Sequence, residues 1–401
     1  MKSNQRNYKA VAAGHICLDV IPLFPKGSGG HVSLQPGKLF VVGPALMSTG
    51  GSVSNTGIAL NRLGVPTLLV AKVGDDIYGK AVNEILQRNG ADFTDGLRTA
   101  KGETTSYSVV ISPPDVDRTF LHCPGANDTF GLSDIDLSQV SDVDLFHFGY
   151  PPIMRKMYID DGRELAEIFH RVRQMGITAS LDMSMPDSTS ESGRIDWRLL
   201  LKNVLPNVDI FLPSFDEILF MLDRSSYDNF QKVSEGERRK LSAGGVLLQK
   251  MSEDLIGMGV AMAVIKLGDD GLYLRTTADK SRVAAMGKST PSITDMWVNR
   301  ELLAPCYNVD VVGTTGAGDS TIAGFLAGLI HGLAPESVMA SAVGAGAFNV
   351  EKEDATSGVP TWTELQSRIE SDWPKRSVGF DLTGWKWYSN SKIWIGPCDR
   401  N

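Results

Sequence analysis

No stretch of the 401 residues approaches the roughly 18 consecutive apolar positions of a membrane span. The start, MKSNQRNYKAVAAGHICLDVIPLF, lacks a long apolar core followed by a small-residue cleavage site. Cysteine is scarce: Cys17, Cys123, Cys306 and Cys398 are widely spaced and form no CxxC pair, as in a reduced cytosolic protein. A basic excess is missing too. Lys and Arg number 39 against 47 Asp and Glu, a net charge of −8, which argues against a general nucleic-acid binder. Any polyanionic ligand must then be met by local donors or a metal, not by the overall field. We expect a soluble cytoplasmic protein with no nucleic-acid or membrane partner.

The most informative absence is a lysine in VVGTTGAGDSTIAGFLAGL, Val311–Leu329. A Walker loop continues with Lys and then Ser or Thr, whereas Asp-Ser follows Gly318 here. A dinucleotide fingerprint needs a third glycine where Thr321 stands, and it belongs in the first strand–helix unit. What remains is a helix N-terminus used as an anion hole. Gly316, Ala317 and Gly318 are small enough for backbone N–H groups to converge on one oxygen, and the helix dipole adds positive charge. Asp319 would repel a phosphate, but it can accept a proton from a hydroxyl that attacks one. The alternative is a tight turn with Asp319 as helix N-cap.

Along the chain, Tyr8–Ala13 with Ile16–Val20 reads as a first strand broken by Gly14, and LFVVG, Leu39–Gly43, as a short strand. Ser52–Leu63 is a helix stopped by Gly64, Thr67–Val73 a strand, and the next helix runs to Arg88 before Gly90. Thr104–Ile111 and Arg118–His122 flank a Pro113–Asp115 turn as a hairpin with one wet face. DLFHFG, ITASLD and VDIFLP read as strands, and Gly162–Met175 as an amphipathic helix. Ala261–Gly268 and Gly271–Arg275 form a strand pair; Asp319–His331 and Val338–Val350 are helices. Asp187–Arg194 and Ser225–Gly245 are polar insertions, and Thr276–Pro305 is irregular. This alternation predicts an α/β fold with a doubly wound, mostly parallel sheet. The early hairpin lies outside that rhythm and suits a small β lid.

GTTGAGDSTIAGFLAGL resembles the C-terminal signature of the ribokinase-like, or PfkB, carbohydrate kinases. TGGSVSNTGIALNRLGVPTLLVAKVGDDIYG, Thr49–Gly79, resembles their N-terminal signature, about 260 residues earlier. DVDLFHFGYP, LDMSMPD, IFLPSFDE and VIKLGDDG resemble landmarks between them, so the likeness covers roughly residues 8–365. It implies helices on both faces of the sheet and a kinase domain over 1–375, with the lid built from parts of 15–50 and 102–125. Residues 376–401 remain as a Trp-rich extension, with Trp385, Trp387 and Trp394 expected to dock on the body. The implied activity is ATP-dependent phosphorylation of a sugar hydroxyl, with Mg2+. Asp319 matches the catalytic base; Gly316, Ala317 and Gly318 match the anion hole. Asp19, Gly50, Gly51 and Asn55 match the sugar-binding positions, and Lys266, Gly268 and Gly271 the nucleotide loop, with adenine near Val343–Ala347. Lids of this kind often pair between subunits, so a homodimer is an open expectation unless the extension covers the hairpin's edge.

Four positions depart from the pattern. Ser214-Phe-Asp-Glu217 stands for Asn-x-x-Glu; it is also a capping box, so Glu217 either orders water around Mg2+, caps the helix, or does both. Gly313 replaces the aspartate that helps bind a monovalent cation, which leaves a potassium requirement open; Asn349 and Lys352 occupy the other cation region, and Lys352 is a candidate replacement charge. Cys17 stands for an asparagine, and Gly149 for an acidic ribose contact, so ribokinase itself is not implied. A nucleoside kinase on the same fold remains open, with Tyr107, Phe120 and Phe40 as candidate base-gripping aromatics. A catalytically silent binding protein is the alternative from another class.

Overall fold

A computed structural model describes residues 7–25, 36–113, 118–232 and 245–399. Their strands are β1 (Ala10–Gly14), β2 (Cys17–Pro22), β3 (Ala45–Gly50), β4 (Thr67–Gly74), β5 (Leu97–Ala100), β6 (Tyr107–Ile111), β7 (Thr119–Cys123), β8 (Leu145–Gly149), β9 (Thr178–Leu181), β10 (Ile210–Phe211), β11 (Met262–Lys266), β12 (Leu272–Thr276), β13 (Glu301–Ala304), β14 (Lys386–Tyr388) and β15 (Ile393–Ile395). Eleven of them form one sheet, ordered β14-β15-β13-β12-β11-β10-β9-β8-β1-β4-β5. From β5 to β11 every neighbouring pair is parallel. Beyond β11 every pair is antiparallel. The switch has a simple cause: the Gly268–Asp270 turn between β11 and β12 is too short for the crossover that parallel strands need.

Apart from the edge strand β5, the parallel strands are buried on both faces, as helix-covered sheets must be. Val11, Ala13, Phe146 and Phe148 enter the core on one side, while Ala10 and Leu145 enter the core on the other. The helix Arg163–Gln174 buries Leu165, Ile168, Phe169 and Val172, the stripe its spacing predicts.

A second sheet, ordered β3-β2-β6-β7, stands beside the first. Only His15 and Ile16 separate β1 from β2, so the chain passes directly from the centre of the large sheet into the small one. The first strand is thus two strands in two sheets rather than one strand interrupted at Gly14.

Several expectations need correction. LFVVG is not a strand; the strand is Ala45–Gly50, and Leu39 and Val41 stay 91% and 73% exposed, apolar residues without a strand partner. The segment Thr276–Pro305 contains β13 and a short helix, Lys280–Ala284. The helix after the glycine-rich loop begins at Ala317, and the next one spans Pro335–Asn349. Most of the Pro113–Asp115 turn and of the Ser225–Gly245 insertion lies outside the described residues.

The Trp-rich segment docks on the sheet. β15 pairs with β13, Leu302 opposite Ile395, and β14 adds outside it. Trp385 is buried against Tyr273, whereas Trp387 is largely exposed. Arg300 and Asp399, both nearly buried, pair at 3.0 Å and fasten the end of the segment. No helix among the described residues is long and apolar enough to cross a membrane.

Candidate active site

The carboxyl ends of the parallel strands deliver the polar residues to one crevice, where ligands of open α/β sheets bind. His15 follows β1, Tyr150 follows β8, Asp182 follows β9, and Lys266 ends β11. The first turns of Ser52–Arg62 and Ala317–Ile330 face them.

Asp319 is not the N-cap. Gly316 takes that place in the left-handed region at φ 71, with no side-chain cap. A Cβ on Gly316 would stand 2.4 Å from the carbonyl oxygen of Ala355, so only glycine fits. The first N–H groups of this helix therefore have neither an intrahelical partner nor a side-chain cap. Asp319 sits one turn in and is buried. Asn55 Nδ2 donates to its Oδ2 at 2.9 Å, the Tyr150 hydroxyl donates to Oδ1 at 2.9 Å, and Thr56 Oγ1 donates to Oδ1 at 3.4 Å. Burial pushes the carboxyl above its usual range, and Asn55, Lys266, Tyr150 and Thr56 oppose the shift.

The lysine missing from the loop arrives from β11. Lys266 Nζ lies 3.8 Å from where a Cβ on Gly318 would stand, beside the first turn of that helix. It donates to Asp182 Oδ1 at 2.7 Å. Burial works against the ammonium, but Asp182, Glu217 and Asp319 outweigh it and hold the lysine protonated. Glu217 closes the capping box: Ser214 N donates to its Oε2 at 2.6 Å.

A cavity of about 320 Å³ is lined by Lys266, Gly268 and Gly271, by Val343, Gly346 and Ala347, and by Ala317 and Gly318, which directly precede Asp319. A second group of polar residues lies on or beside the small sheet. There Asp19 packs on Gly50, where a Cβ would stand 2.2 Å from Oδ2. Gly51, at φ 88, admits His15, whose Nδ1 would meet its Cβ at 2.5 Å. His15 and His122 face each other, Nε2 to Nε2, at 3.4 Å, and Ser108 Oγ lies 3.0 Å from His122 Nδ1. Burial lowers both imidazoles, so both are neutral. Asp19 is raised to about 6 by burial, against bonds from Cys17 and Ser108. Asn55 Oδ1 and His15 Nδ1 are buried with no hydrogen-bond partner among the described residues. Such atoms suit a ligand rich in hydroxyl groups.

A model of pfkB family carbohydrate kinases matches residues 41–362. The chain belongs to that family. Over 303 residues it is 26% identical to an uncharacterized sugar kinase of Archaeoglobus fulgidus, covering 76% of this chain and 98% of that one. It is 23% identical to a probable fructokinase-3 of Arabidopsis thaliana, covering 94% and 95%. Among solved structures, Arabidopsis thaliana ribokinase complexed with ribose and ATP superposes with a TM-score of 0.67 at 18% identity, covering 90% and 98%. As a pfkB kinase the protein is an enzyme that transfers a phosphoryl group from ATP to a sugar.

Within the pfkB frame, the loop at Gly313 is closed. A Cβ there would lie 2.8 Å from the Lys352 carbonyl oxygen and 3.0 Å from Glu353 Cα, leaving no room for a carboxylate. The Lys352 side chain is exposed, while Asn349 Nδ2 ties the loop by donating to Thr315 O at 2.7 Å. Gly149 is equally constrained, because a Cβ would meet Ser52 Oγ at 2.1 Å.

Tyr150 and Asp182 lie within the landmarks DVDLFHFGYP and LDMSMPD but were not singled out there, and His15 and His122 were not singled out either. Three of them directly follow strands of the parallel sheet, a position that marks the crevice; His122 carried no such signal. Tyr150 adopts φ 66, rare for a residue with a side chain, and thereby aims its hydroxyl at Asp319. Burial and the nearby carboxylates raise its phenol well above the ordinary value, so it stays a donor. Tyr150→Phe is expected to lower kcat/KM about tenfold, the worth of one bond to a charged acceptor. The acid limb of the pH profile should move upward, because Asp319 loses a bond that favours its charged form. An unmoved profile would remove Tyr150 from the site.

Proposed function

We propose that this enzyme phosphorylates an uncharged sugar, with Asp319 as general base. One observation carries the proposal: Asp319 is buried at a helix N-terminus without a side-chain cap, next to the cavity that Ala317 and Gly318 line, and is held by Asn55 and Tyr150. The sugar hydroxyl gives its proton to Asp319 as its oxygen attacks the γ-phosphorus; the bond from that phosphorus to the β–γ bridging oxygen breaks and ADP leaves with the electron pair. The helix N–H groups and Lys266 take up the charge on the phosphoryl oxygens. ATP occupies the cavity beside Gly268 and Gly271.

Among the described residues, no three His, Cys, Asp or Glu groups cluster to hold a bare ion. Magnesium would therefore enter with the nucleotide, keeping several waters, and Asp182 and Glu217 are the carboxylates placed to order them. It would supply charge neutralisation between the phosphates.

The acceptor is uncharged because Asp19 repels anions and the neighbouring His15 and His122 are neutral. Arg118, on the approach to β7, donates to Thr314 Oγ1 at 2.8 Å and joins the small sheet to the phosphate loop, which supports a lid role for that sheet. The same sheet exposes Leu46, Met47, Phe120 and Leu121, the apolar surface on which two lids would pair in a homodimer.

The test is a coupled assay with ATP–Mg2+ over ketoses, aldoses, polyols, sugar acids, sugar phosphates and nucleosides. Turnover is expected with an uncharged sugar. A clear preference for a sugar phosphate or sugar acid would overturn the acceptor class. Preference for a nucleoside would instead give Phe120, on the His122 side of β7, the role of covering a base; Tyr107 packs on Tyr78 and Phe40 on Phe24. ATP binding without any transfer would mark a silent binding protein.

A further inference from the structure

The family match ends at residue 362, but the wall of the 320 Å³ cavity continues to Arg376. A short backbone ladder puts it there. Asn308 N donates to Pro374 O at 2.9 Å, and Arg376 N donates to Cys306 O at 2.8 Å. Tyr307, between those rungs, is clamped by side chains: Trp373 stacks on it at 4.2 Å between ring centroids, and Lys375 Nζ lies 3.4 Å from its centroid. Lys375 also donates to Pro305 O at 2.9 Å.

From this anchor Arg376 reaches the nucleotide turn. Its Nη2 lies 3.3 Å from Asp269 Oδ2, and three residues later Gly379 N donates to Asp270 Oδ1 at 2.6 Å. Asp269 and Asp270 belong to the Gly268–Asp270 turn. Two carboxylates beside a triphosphate would oppose its binding, and the C-terminal segment engages both. Among the described residues, Lys266 and Arg376 are the two cationic side chains that line the cavity; Lys266 stands beside Gly318 and Asp182, whereas Arg376 stands beside the Gly268–Asp270 turn. The Arg376–Asp269 pair is more than a third exposed on each side, so holding it together is worth little. A guanidinium fork can keep that carboxylate and turn its other face to a phosphate.

We propose that Arg376 is a nucleotide-binding residue supplied by the C-terminal segment, acting on the phosphates of ATP. This rests on the assignment of ATP to that cavity. The test uses the full chain and calorimetric titration with ATP–Mg2+, ADP and adenosine, beside the KM for sugar and the Tm. Arg376→Ala should weaken ATP and ADP about tenfold, the usual cost of one charged hydrogen bond. Adenosine binding, sugar KM and Tm should stay as in the parent, and Arg376→Lys should recover part of the loss. Unchanged ATP affinity in Arg376→Ala, with a parent that binds ATP, overturns the assignment alone. Equal weakening of ATP and adenosine does the same, because the effect would then not be on phosphate. A parent that binds no ATP overturns the cavity's assignment as well.

Discussion

Asp319→Asn should reduce kcat by about 10²–10⁴-fold, the range for loss of a general base, while ATP and sugar still bind. The amide keeps the shape of the carboxylate but cannot take the hydroxyl proton. Stability should move the other way. Burial raises the folded-state pKa of Asp319 above that of the unfolded chain. Above the folded value, the native state therefore carries a costly buried charge; this cost shrinks as pH falls below that value and is gone below the unfolded-state value. The neutral variant escapes it, so its Tm at pH 8 should equal or exceed the parent's. The parent's kcat/KM should rise with pH through an acid limb lying above the ordinary carboxylate range. Stopped-turnover kinetics and calorimetry give both results, and near-normal kcat in Asp319→Asn would end the assignment.

Lys266→Met should reduce kcat by about 10²–10³-fold, the cost of removing one preorganised donor from a developing oxyanion. It should also destabilise the fold by about 3 kcal/mol, because Asp182 would be left buried without its cation. Asp182 is already raised by burial, against the pull of Lys266, so without the lysine it protonates more readily. The stability loss should therefore shrink as pH falls. Adding Asp182→Asn should restore much of the stability and none of the kcat. Recovery of turnover in the double variant would make Lys266 a structural residue only.

How much of this was legible depended on the range of the interactions involved. Asp319, Gly316 and Gly318 could be read because a helix N-terminus and its glycines are contiguous in sequence. Asn55 was placed by resemblance among the sugar-binding positions; its bond to Asp319 spans 264 residues and was not foreseen. Lys266 was placed in the nucleotide loop, and it does line that cavity, yet its ammonium points to Gly318 and Asp182, and Asp182, just past β9, fixes its direction. LFVVG misled because β-forming composition says nothing about whether a partner strand exists. β13 was hidden for the converse reason. Its buried Glu301 reads as polar, but Tyr273 OH donates to one of its oxygens and Cys398 N to the other.

The position of β1 bears on how the gene can be cut. The interval matched by the family starts at residue 41, yet β1 lies between β4 and β8 in the interior of the sheet. The same interval ends at 362, before β14 and β15, which cover β13. An expression fragment trimmed to 41–362 would carry a slot through its centre and an unpaired strand at one margin. Such edges recruit other chains, so the fragment should collect in inclusion bodies. The matched interval is narrower than the sheet, which takes strands from both sides of it.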